Sequence, residues 1–510
     1  MNILKISVIS LSVLVLSSCM KDFEEINTNP NNPVTTDVEY IFNFIIKEAA
    51  GEFGIVNAYN YTYVQRWVMQ TAAVWGNSTM PPYTLFDQYR IQNMWEHYYS
   101  SLLVNTELLL QMTDNETDVN RHQAARIWKV FIFHRVTDLW GDVPYSEAWQ
   151  LLDEYTDETI SPAYDTQESI YQDMLSILKD ASSKIEKSKG FYNNDMIFDG
   201  DLDLWIKFAN SLRLRLAVRS GNQELVNEII TEDNLFSSND EAAYFTYIET
   251  QDWWNPYYEI NIDSKNPSSP DQTGTTTPKV SELMMRQLKD TDDPRLSIYA
   301  QTVETDNATY RGTPNLMDAN KKENQAMGVG VTSTSYIGKY FSDDPTWTKP
   351  LLGYPEVCFL RAEAALRGWT GEDAQYWYEE GVSNALSFYG IDDAEITDFV
   401  NNGDPFDNSL EQIITQKWVA LFLDGWETFA EYRRTGYPQL KKYDLELDGI
   451  KIISFDWVDV PRNYVPGRLP YPDDENDLNH KNYQEAVDRM GGDSYYQQVW
   501  WSKKFGDIAY

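Results

Sequence analysis

The chain has 510 residues, and its 79 acidic against 41 basic side chains give a formal net charge of −38 at pH 7. Such a charge repels nucleic acid and anionic lipid surfaces, so both are excluded as expected binding partners. A chain of this length can bury a large core, and its aromatic content of 14% is too high for a disordered protein.

The N-terminus has the layout of a secretory signal peptide. Lys5 precedes an apolar run over residues 6–16, which is too short to span a bilayer as a helix. Leu16-Ser17-Ser18-Cys19 then resembles the lipobox of bacterial lipoproteins. We therefore expect a signal peptide over 1–18, a lipidated Cys19 and a linker as far as residue 36. The alternative is an ordinary cleaved signal in which the cysteine is incidental.

The residues after Cys19 predict the cellular location of the protein. Asp22, Glu24 and Glu25 resemble the charge signal that directs such lipoproteins to the outer membrane, facing the cell exterior. Cys358 is the only other cysteine, so acylation of Cys19 would leave an exported protein without a disulfide. No later segment approaches 18 uninterrupted apolar residues, so we expect lipid to be the only membrane attachment.

Helical periodicity dominates the rest of the chain. From Trp205, apolar residues recur at Phe208, Leu212 and Leu216 and form one stripe of a helix. Helices are predicted over 84–112, 119–137, 166–187, 202–219, 279–289, 354–368, 373–389 and 409–423. Strand patterns lie mostly at 242–262 and 448–460, and Pro, Gly and Ser mark long loops at 264–278 and 313–335. The pattern favours the all-α class, with a single helical domain over 37–510 and a few short β-hairpins.

Residues 354–389 carry a weak helical-hairpin repeat. Ala362, Ala374 and Gly381 lie 12 and 7 positions apart, and Tyr378 stands between the last two. This order of small and large residues is typical of tetratricopeptide hairpins, in which small residues let paired helices approach closely.

The sequence shows no pattern typical of a metal, cofactor or catalytic site. The four histidines, His97, His122, His134 and His480, lack metal-ligand spacing. Residues 199–203 begin like a calcium loop, but Leu204 stands where the sharp turn needs glycine, which excludes an EF-hand. A structural calcium ion held by loop carboxylates stays possible. We expect no cofactor and no catalytic residues.

Aromatic residues outside the helical stripes are the candidate ligand contacts. Sugar rings present C–H faces that stack on Trp and Tyr, while amides and carboxylates hydrogen-bond the hydroxyls. The alternative for each ring is packing between loops and helices. The candidates are Trp75, Asn77 and Tyr83, then Trp253, Trp254 and Tyr258, and finally Tyr336 and Trp347, with Tyr340 beside them.

Six strings, in order along the chain, resemble the SusD/RagB family of outer-membrane nutrient-binding lipoproteins. They are Asp138-Leu139-Trp140-Gly141-Asp142-Val143-Pro144-Tyr145-Ser146-Glu147-Ala148, Trp205-Ile206-Lys207-Phe208-Ala209-Asn210-Ser211-Leu212-Arg213-Leu214-Arg215-Leu216-Ala217, Asp293-Pro294-Arg295-Leu296, Phe359-Leu360-Arg361-Ala362-Glu363-Ala364-Ala365-Leu366-Arg367-Gly368, Asp424-Gly425-Trp426-Glu427-Thr428-Phe429 with Arg433-Arg434-Thr435-Gly436-Tyr437-Pro438, and Pro461-Arg462 through Tyr471-Pro472 with Glu475-Asn476 and Asn482-Tyr483. Because the charged residues of these strings lie on apolar helices, we expect Arg213, Arg215, Arg361 and Glu363 to pair internally.

The resemblance implies a fold and a role. The fold is a helical body in which tetratricopeptide-like hairpins form a scaffold. The role is that of a non-catalytic receptor that captures an oligomeric nutrient and delivers it to a partner TonB-dependent outer-membrane barrel (SusC-like). An oligosaccharide is the first expectation for the ligand, and a peptide is the alternative. A surface glycoside hydrolase and a purely structural or adhesive lipoprotein are the remaining alternatives.

Overall fold

A computed structural model describes residues 37–51, 53–72, 74–75, 78–79, 85–113, 116–149, 160–265, 278–304, 307–313, 333–439, 445–447, 450–452 and 465–505. Of the sequence predictions, the signal peptide, Cys19 and the linker lie outside the described residues. Within the described ranges, no helix has both the length and the apolar character needed to cross a bilayer.

Helices form most of the described structure. The longer ones are α1 Val38–Gly51, α2 Gln88–Glu96, α3 Val104–Met112, α4 Val119–Trp140, α5 Gln167–Lys184, α6 Leu202–Arg219, α7 Gln223–Glu232, α8 Pro256–Lys265, α9 Glu282–Asp290, α10 Tyr354–Leu366, α11 Ala374–Ser387, α12 Leu410–Ala420, α13 Gly425–Thr435 and α14 His480–Met490. Shorter helical segments lie at Phe53–Ile55, Val56–Val64, Gln65–Trp67, His97–Leu103, Asn239–Glu241, Gln251–Trp253, Leu296–Tyr299, Lys339–Ser342, Asp393–Asp398, Phe399–Gly403, Asp473–Leu478 and Ser502–Phe505. The predicted all-α class is confirmed.

Side-chain caps fix several of these helix starts. Asp201, in the string that begins like a calcium loop, accepts hydrogen bonds from the N–H groups of Asp203 and Leu204 and so caps α6. Ser281 caps α9 by accepting from the Met284 N–H. Such caps satisfy N–H groups that have no partner inside the helix.

Consecutive helices pair into hairpins: α4 with α5, α6 with α7, α10 with α11, and α12 with α13. In the pair α10–α11, a Cβ atom on Gly381 would lie only 3.0 Å from a ring carbon of Phe359. Ala362 is fully buried at the same interface. The predicted hairpin over 354–389 is therefore confirmed, and its small residues permit the close approach of the two helices.

Buried ion pairs join these hairpins. Arg215 on α6 donates from Nε and Nη2 to the two carboxylate oxygens of Glu356 on α10, at 2.8 and 2.6 Å. Arg219, one turn further along α6, pairs with Asp138 on α4 at 2.5 Å and with Glu427 on α13. All five side chains are buried, so the network links four helices that are distant in sequence.

The network continues through α12 and α13. Lys417 Nζ lies 3.2 Å from Glu431, and Arg434 reaches both oxygens of Glu363 at 2.5 Å each. Burial disfavours the charged form of Glu363, but the charge of Arg434 outweighs it, so the pKa of Glu363 lies below its usual value. The expected internal pairing is found at Arg215 and Glu363, as it is at Arg213 and Arg361.

In the part of the chain that the structure describes, strands are short and form five antiparallel two-stranded ladders. They are β1 Thr71–Ala72 with β7 Lys279–Val280, β2 Val74–Trp75 with β3 Ser78–Thr79, β4 Val143–Pro144 with β5 Tyr164–Asp165, β6 Ala243–Thr246 with β8 Thr348–Leu352, and β9 Leu445–Leu447 with β10 Ile450–Ile452. Of the predicted strand at 242–262, only β6 forms, and the second half is helix α8. Pro256 opens α8, where its fixed φ and missing N–H are tolerated, and this overrides the β-propensity of the tyrosines that follow.

A main hydrophobic core takes side chains from Ile41 to Trp501. A smaller cluster, shared by α10, α11, α12 and the segment between the last two, contains Phe359, Tyr378 and Phe399. Cys358 is buried in the main core as a free thiol, and burial raises its pKa.

Candidate functional site

The start of α8 is fastened to the loop after Lys339–Ser342 by one asparagine. Asn255 is fully buried, and its Nδ2 donates to the backbone oxygens of Phe341 at 2.6 Å and Asp344 at 3.0 Å. Its Oδ1 accepts from the Tyr257 N–H at 3.0 Å. One side chain thus caps the helix and holds the neighbouring segment against it.

A second amide repeats this fastening one and a half turns later. Asn261 Nδ2 donates to Ser342 O at 2.9 Å and to Asp343 Oδ1 at 3.2 Å. Behind both amides, Tyr257 is buried and its hydroxyl accepts from Gln65 Nε2 at 2.6 Å. We call Asn255, Asn261 and the segment 341–345 the amide frame.

Four aromatic side chains lie on this frame, and we call Trp253, Trp254, Tyr258 and Tyr340 the aromatic ledge. Trp254 and Tyr258 meet at 5.3 Å between ring centroids with their planes at 88°, and both are half-buried. Trp253 is half-buried against the core, and Tyr340 is 39% exposed. Tyr389 supports the Tyr340 ring at a centroid distance of 5.4 Å.

The predicted contact Trp347 lies beneath the ledge. It is 4% exposed, and the rings of Tyr247, Tyr257 and Phe341 surround it at 6.3, 5.8 and 5.5 Å. In this structure Trp347 packs under the amide frame, which is the alternative considered for each candidate ring. A direct contact of Trp347 with ligand stays a prediction.

Tyr336 lies on a buried lysine. Lys279 Nζ is 3.2 Å from the centre of the Tyr336 ring and donates to Thr334 O at 2.7 Å. Burial lowers the pKa of Lys279 to about 7 and raises the pKa of Tyr336 to about 12. The contact with Lys279 Nζ therefore fixes the position of the Tyr336 ring.

The remaining candidates are described only in part. Trp75 ends β2 and pairs with Ser78, so a tight hairpin carries it, but only its backbone is described. Asn77 and Tyr83 lie outside the described residues. β1, four residues before Trp75, pairs with β7, and Lys279 of β7 forms a bridge to Tyr336. The backbone that leads to Trp75 thus joins the one that carries Tyr336.

The ledge offers a surface on which a ligand could be bound. Its perpendicular and flanking rings present apolar faces and edges, and its tyrosine hydroxyls add polar groups. No group of three or more His, Cys, Asp or Glu in the described ranges has the geometry to hold a metal ion. The arrangement suits stacking on a flat, partly apolar ligand.

Sequence reasoning missed three supporting residues, Lys279, Asn261 and Tyr389. A lone lysine at the start of an apolar strand was the available signal for Lys279. For Asn261 there was no signal, since a spacing of six from Asn255 does not place two side chains on one helix face. Nothing in the local pattern distinguishes Tyr389 from a packing residue.

Comparison with known proteins agrees with this architecture. A protein-family model, SusD-like and described as "Starch-binding associating with outer membrane", matches residues 30–454. A solved structure named as a chitin-binding protein is 27% identical, with a TM-score of 0.74, over 91% of this chain and 100% of its own. Comparison with curated protein sequences gives no significant match.

More distant solved structures share the fold. A chitin-binding SusD homolog from Flavobacterium johnsoniae is 23% identical, with a TM-score of 0.70, covering 91% of this chain and 98% of that one. A SusD homolog from Bacteroides fragilis is 20% identical, with a TM-score of 0.71, covering 92% of this chain and all of its own. Since the family match extends over most of the sequence, the chain belongs to the SusD-like family.

Proposed function

We propose that this protein is a non-catalytic receptor that binds an oligosaccharide outside the cell at the aromatic ledge. The observation that carries the proposal is the half-buried, perpendicular ring pair Trp254 and Tyr258, next to a helix that packs against the segment carrying exposed Tyr340. The amide frame holds these rings in position before any ligand arrives, which lowers the entropy cost of binding. Cys19 anchors the receptor by lipid, and a TonB-dependent barrel receives the ligand.

Oligomers of N-acetylglucosamine are the first ligands to test. The 27%-identical relative is named as a chitin-binding protein, and this supports the choice. The acetamido group suits the ledge, because its methyl can contact a ring while its amide hydrogen-bonds. The family description also names starch, so malto-oligosaccharides form the second arm of the test.

Calorimetric titration of the purified protein with both oligosaccharides tests the site. Trp254→Ala and Tyr258→Ala should each weaken binding about fivefold, because a ring contact contributes ~1 kcal/mol. Tyr376→Ala is the matched control, since this tyrosine is 54% exposed at the end of α11 opposite Tyr389. Ledge variants that bind as well as the control would contradict the assignment of the site.

The same titration separates the rival functions. Binding of peptides without binding of any sugar would make the receptor a peptide importer. Release of shortened sugars by the pure protein would make it a hydrolase. Recovery of a large outer-membrane barrel with the protein from gently solubilised membranes supports the delivery role, and its absence contradicts that role.

A further inference from the structure

An open cleft of about 500 Å³ lies on the helical scaffold and is not lined by any ledge residue. One wall is α5, the second is the turn between α6 and α7, and the third is the C-terminal segment that ends with Ser502–Phe505. The volume falls within the range of small-molecule sites in proteins. The lining of the cleft includes Gln172 of α5, Asn222 of the turn, Gln223 at the start of α7, and Trp500 and Lys504 of the C-terminal segment.

Trp500 is the aromatic wall of the cleft and is fixed from two sides. Lys504 Nζ lies 3.7 Å from the indole centre and donates to Ser220 O at 3.2 Å. Tyr171 meets the indole at 5.8 Å between centroids. Trp500 is half-buried, so part of its indole ring is accessible from the cleft. The indole therefore offers apolar surface to a ligand.

Amides supply the polar lining. Gln172 and Gln223 are exposed, and neither side chain forms a hydrogen bond with any described residue. Asn222 uses its Oδ1 to cap α7, through the Leu225 N–H at 3.2 Å, which leaves its Nδ2 donors to the cleft. Each amide can both donate and accept, as hydroxyl groups require.

The charged residues that line the cleft favour a neutral ligand over an anionic one. Glu168 and Glu224 also line it, within a protein of net charge −38, so an anionic ligand is repelled. The single cation, Lys504, is already engaged by Trp500 and Ser220. A neutral ligand with several hydroxyl or amide groups fits this lining.

We propose that the cleft is a second binding site for a neutral hexose ring of an oligosaccharide. The ring lies against the Trp500 indole, and the amides of Gln172 and Gln223 bind its hydroxyls. A second site lets one long glycan, or a second chain, attach to the scaffold away from the ledge. This proposal rests on the proposed carbohydrate binding but not on the ledge as its location.

The test is calorimetric titration with N-acetylglucosamine and malto-oligosaccharides in two backgrounds, unchanged and Trp254→Ala/Tyr258→Ala. In the ledge-deficient background, Gln172→Ala/Gln223→Ala should weaken the remaining binding ~10-fold, since two hydrogen bonds are lost. The matched control is Ser176→Ala/Asn227→Ala, which changes exposed residues of the same two helices outside the cleft. A galacturonate oligomer should not bind to the cleft.

The outcomes distinguish the two sites. We call Gln172→Ala/Gln223→Ala the amide variant. If it binds oligosaccharide as tightly as the control variant does, the cleft proposal is overturned and the ledge proposal stands. If only the amide variant weakens binding, the cleft is supported and the ledge assignment fails. If no oligosaccharide binds the unchanged protein, the proposed function fails and the cleft proposal falls with it.

Discussion

His134 on α4 is a buried histidine among positive charges. It is 1% exposed, and its Nδ1 lies 3.3 Å from Val130 O. Burial, joined by the charges of Arg215, Arg219 and Arg135, holds its pKa well below the usual value of 6.5. The folded protein therefore keeps this imidazole neutral at pH values where an unfolded chain would protonate it.

His134→Gln should make the free energy of unfolding less dependent on pH. Below pH 6.5 the unfolded chain takes up a proton at His134 and the folded chain does not, so the original protein loses stability as the pH falls. The slope approaches ~1.4 kcal/mol per pH unit, and above about pH 7.5 this histidine adds no slope. Urea unfolding of both proteins at pH 7.5 and 5.5 measures the difference. Equal pH dependence would contradict a neutral His134.

Pairs of helices are held together by charges of very different exposure. On α10, Glu363 is 1% exposed and pairs with Arg434 of α13. Arg361, also on α10, pairs with Glu372, whose side chain is 21% exposed. Removing a partner from a buried pair leaves an uncompensated charge, whereas water screens a partly exposed pair.

Glu363→Gln should therefore destabilise the protein by about 3 kcal/mol, and Glu372→Gln by less than about 1 kcal/mol. The two variants make the same chemical change in neighbouring ion pairs, so each serves as the control for the other. Unfolding in urea at pH 7 measures both. Equal losses of unfolding free energy in the two variants would mean that burial does not determine the strength of these ion pairs.

Most helices could be predicted from the spacing of apolar residues alone. The boundaries of α4 through α6 agree with the predictions within a few residues, although α5 buries one face and α4 is buried on nearly all sides. α8 could not be predicted, because Trp and Tyr favour strands and the capping role of Asn255 depends on a partner segment about 90 residues later. The internal pairing of Arg215 could be expected, but its partner Glu356 could not.

The candidate site was predictable only as a set of rings. The sequence placed Trp254 and Tyr258 in one cluster, and they do form a perpendicular pair. The sequence could not show that Trp254 and Tyr258 are more exposed than Trp347. The exposure of a ring depends on which distant segments pack against it. The cleft at Trp500 joins segments more than 270 residues apart, and no local pattern reports such a meeting.

At the scale of the whole molecule, the net charge bears on the predicted membrane attachment. A protein of net charge −38 is repelled by an anionic membrane surface, so attachment to lipid is expected to depend on acyl chains and not on charge. The predicted anchor is Cys19, which lies outside the described residues, whereas Cys358 is fully buried. The two cysteines are thus expected to differ completely in access to lipid.

Metabolic labelling with palmitate should mark the original protein and the Cys358→Ala variant alike. Cys19→Ala should remove the label, because no other thiol is accessible to the lipidating enzymes. The protein is then followed by immunoprecipitation from whole cells. A labelled Cys19→Ala variant, or an unlabelled original protein, would contradict lipid anchoring.

The amide frame has a consequence for how such proteins diversify. Asn255 and Asn261 fasten α8 chiefly through main-chain oxygens, and none of the ledge rings takes part in those hydrogen bonds. Substitutions at Trp254, Tyr258 or Tyr340 can therefore alter the exposed aromatic surface while the amide frame keeps its structure. Under the proposed function, exchange of a few ledge rings would change which nutrient is bound and would leave the fold unchanged.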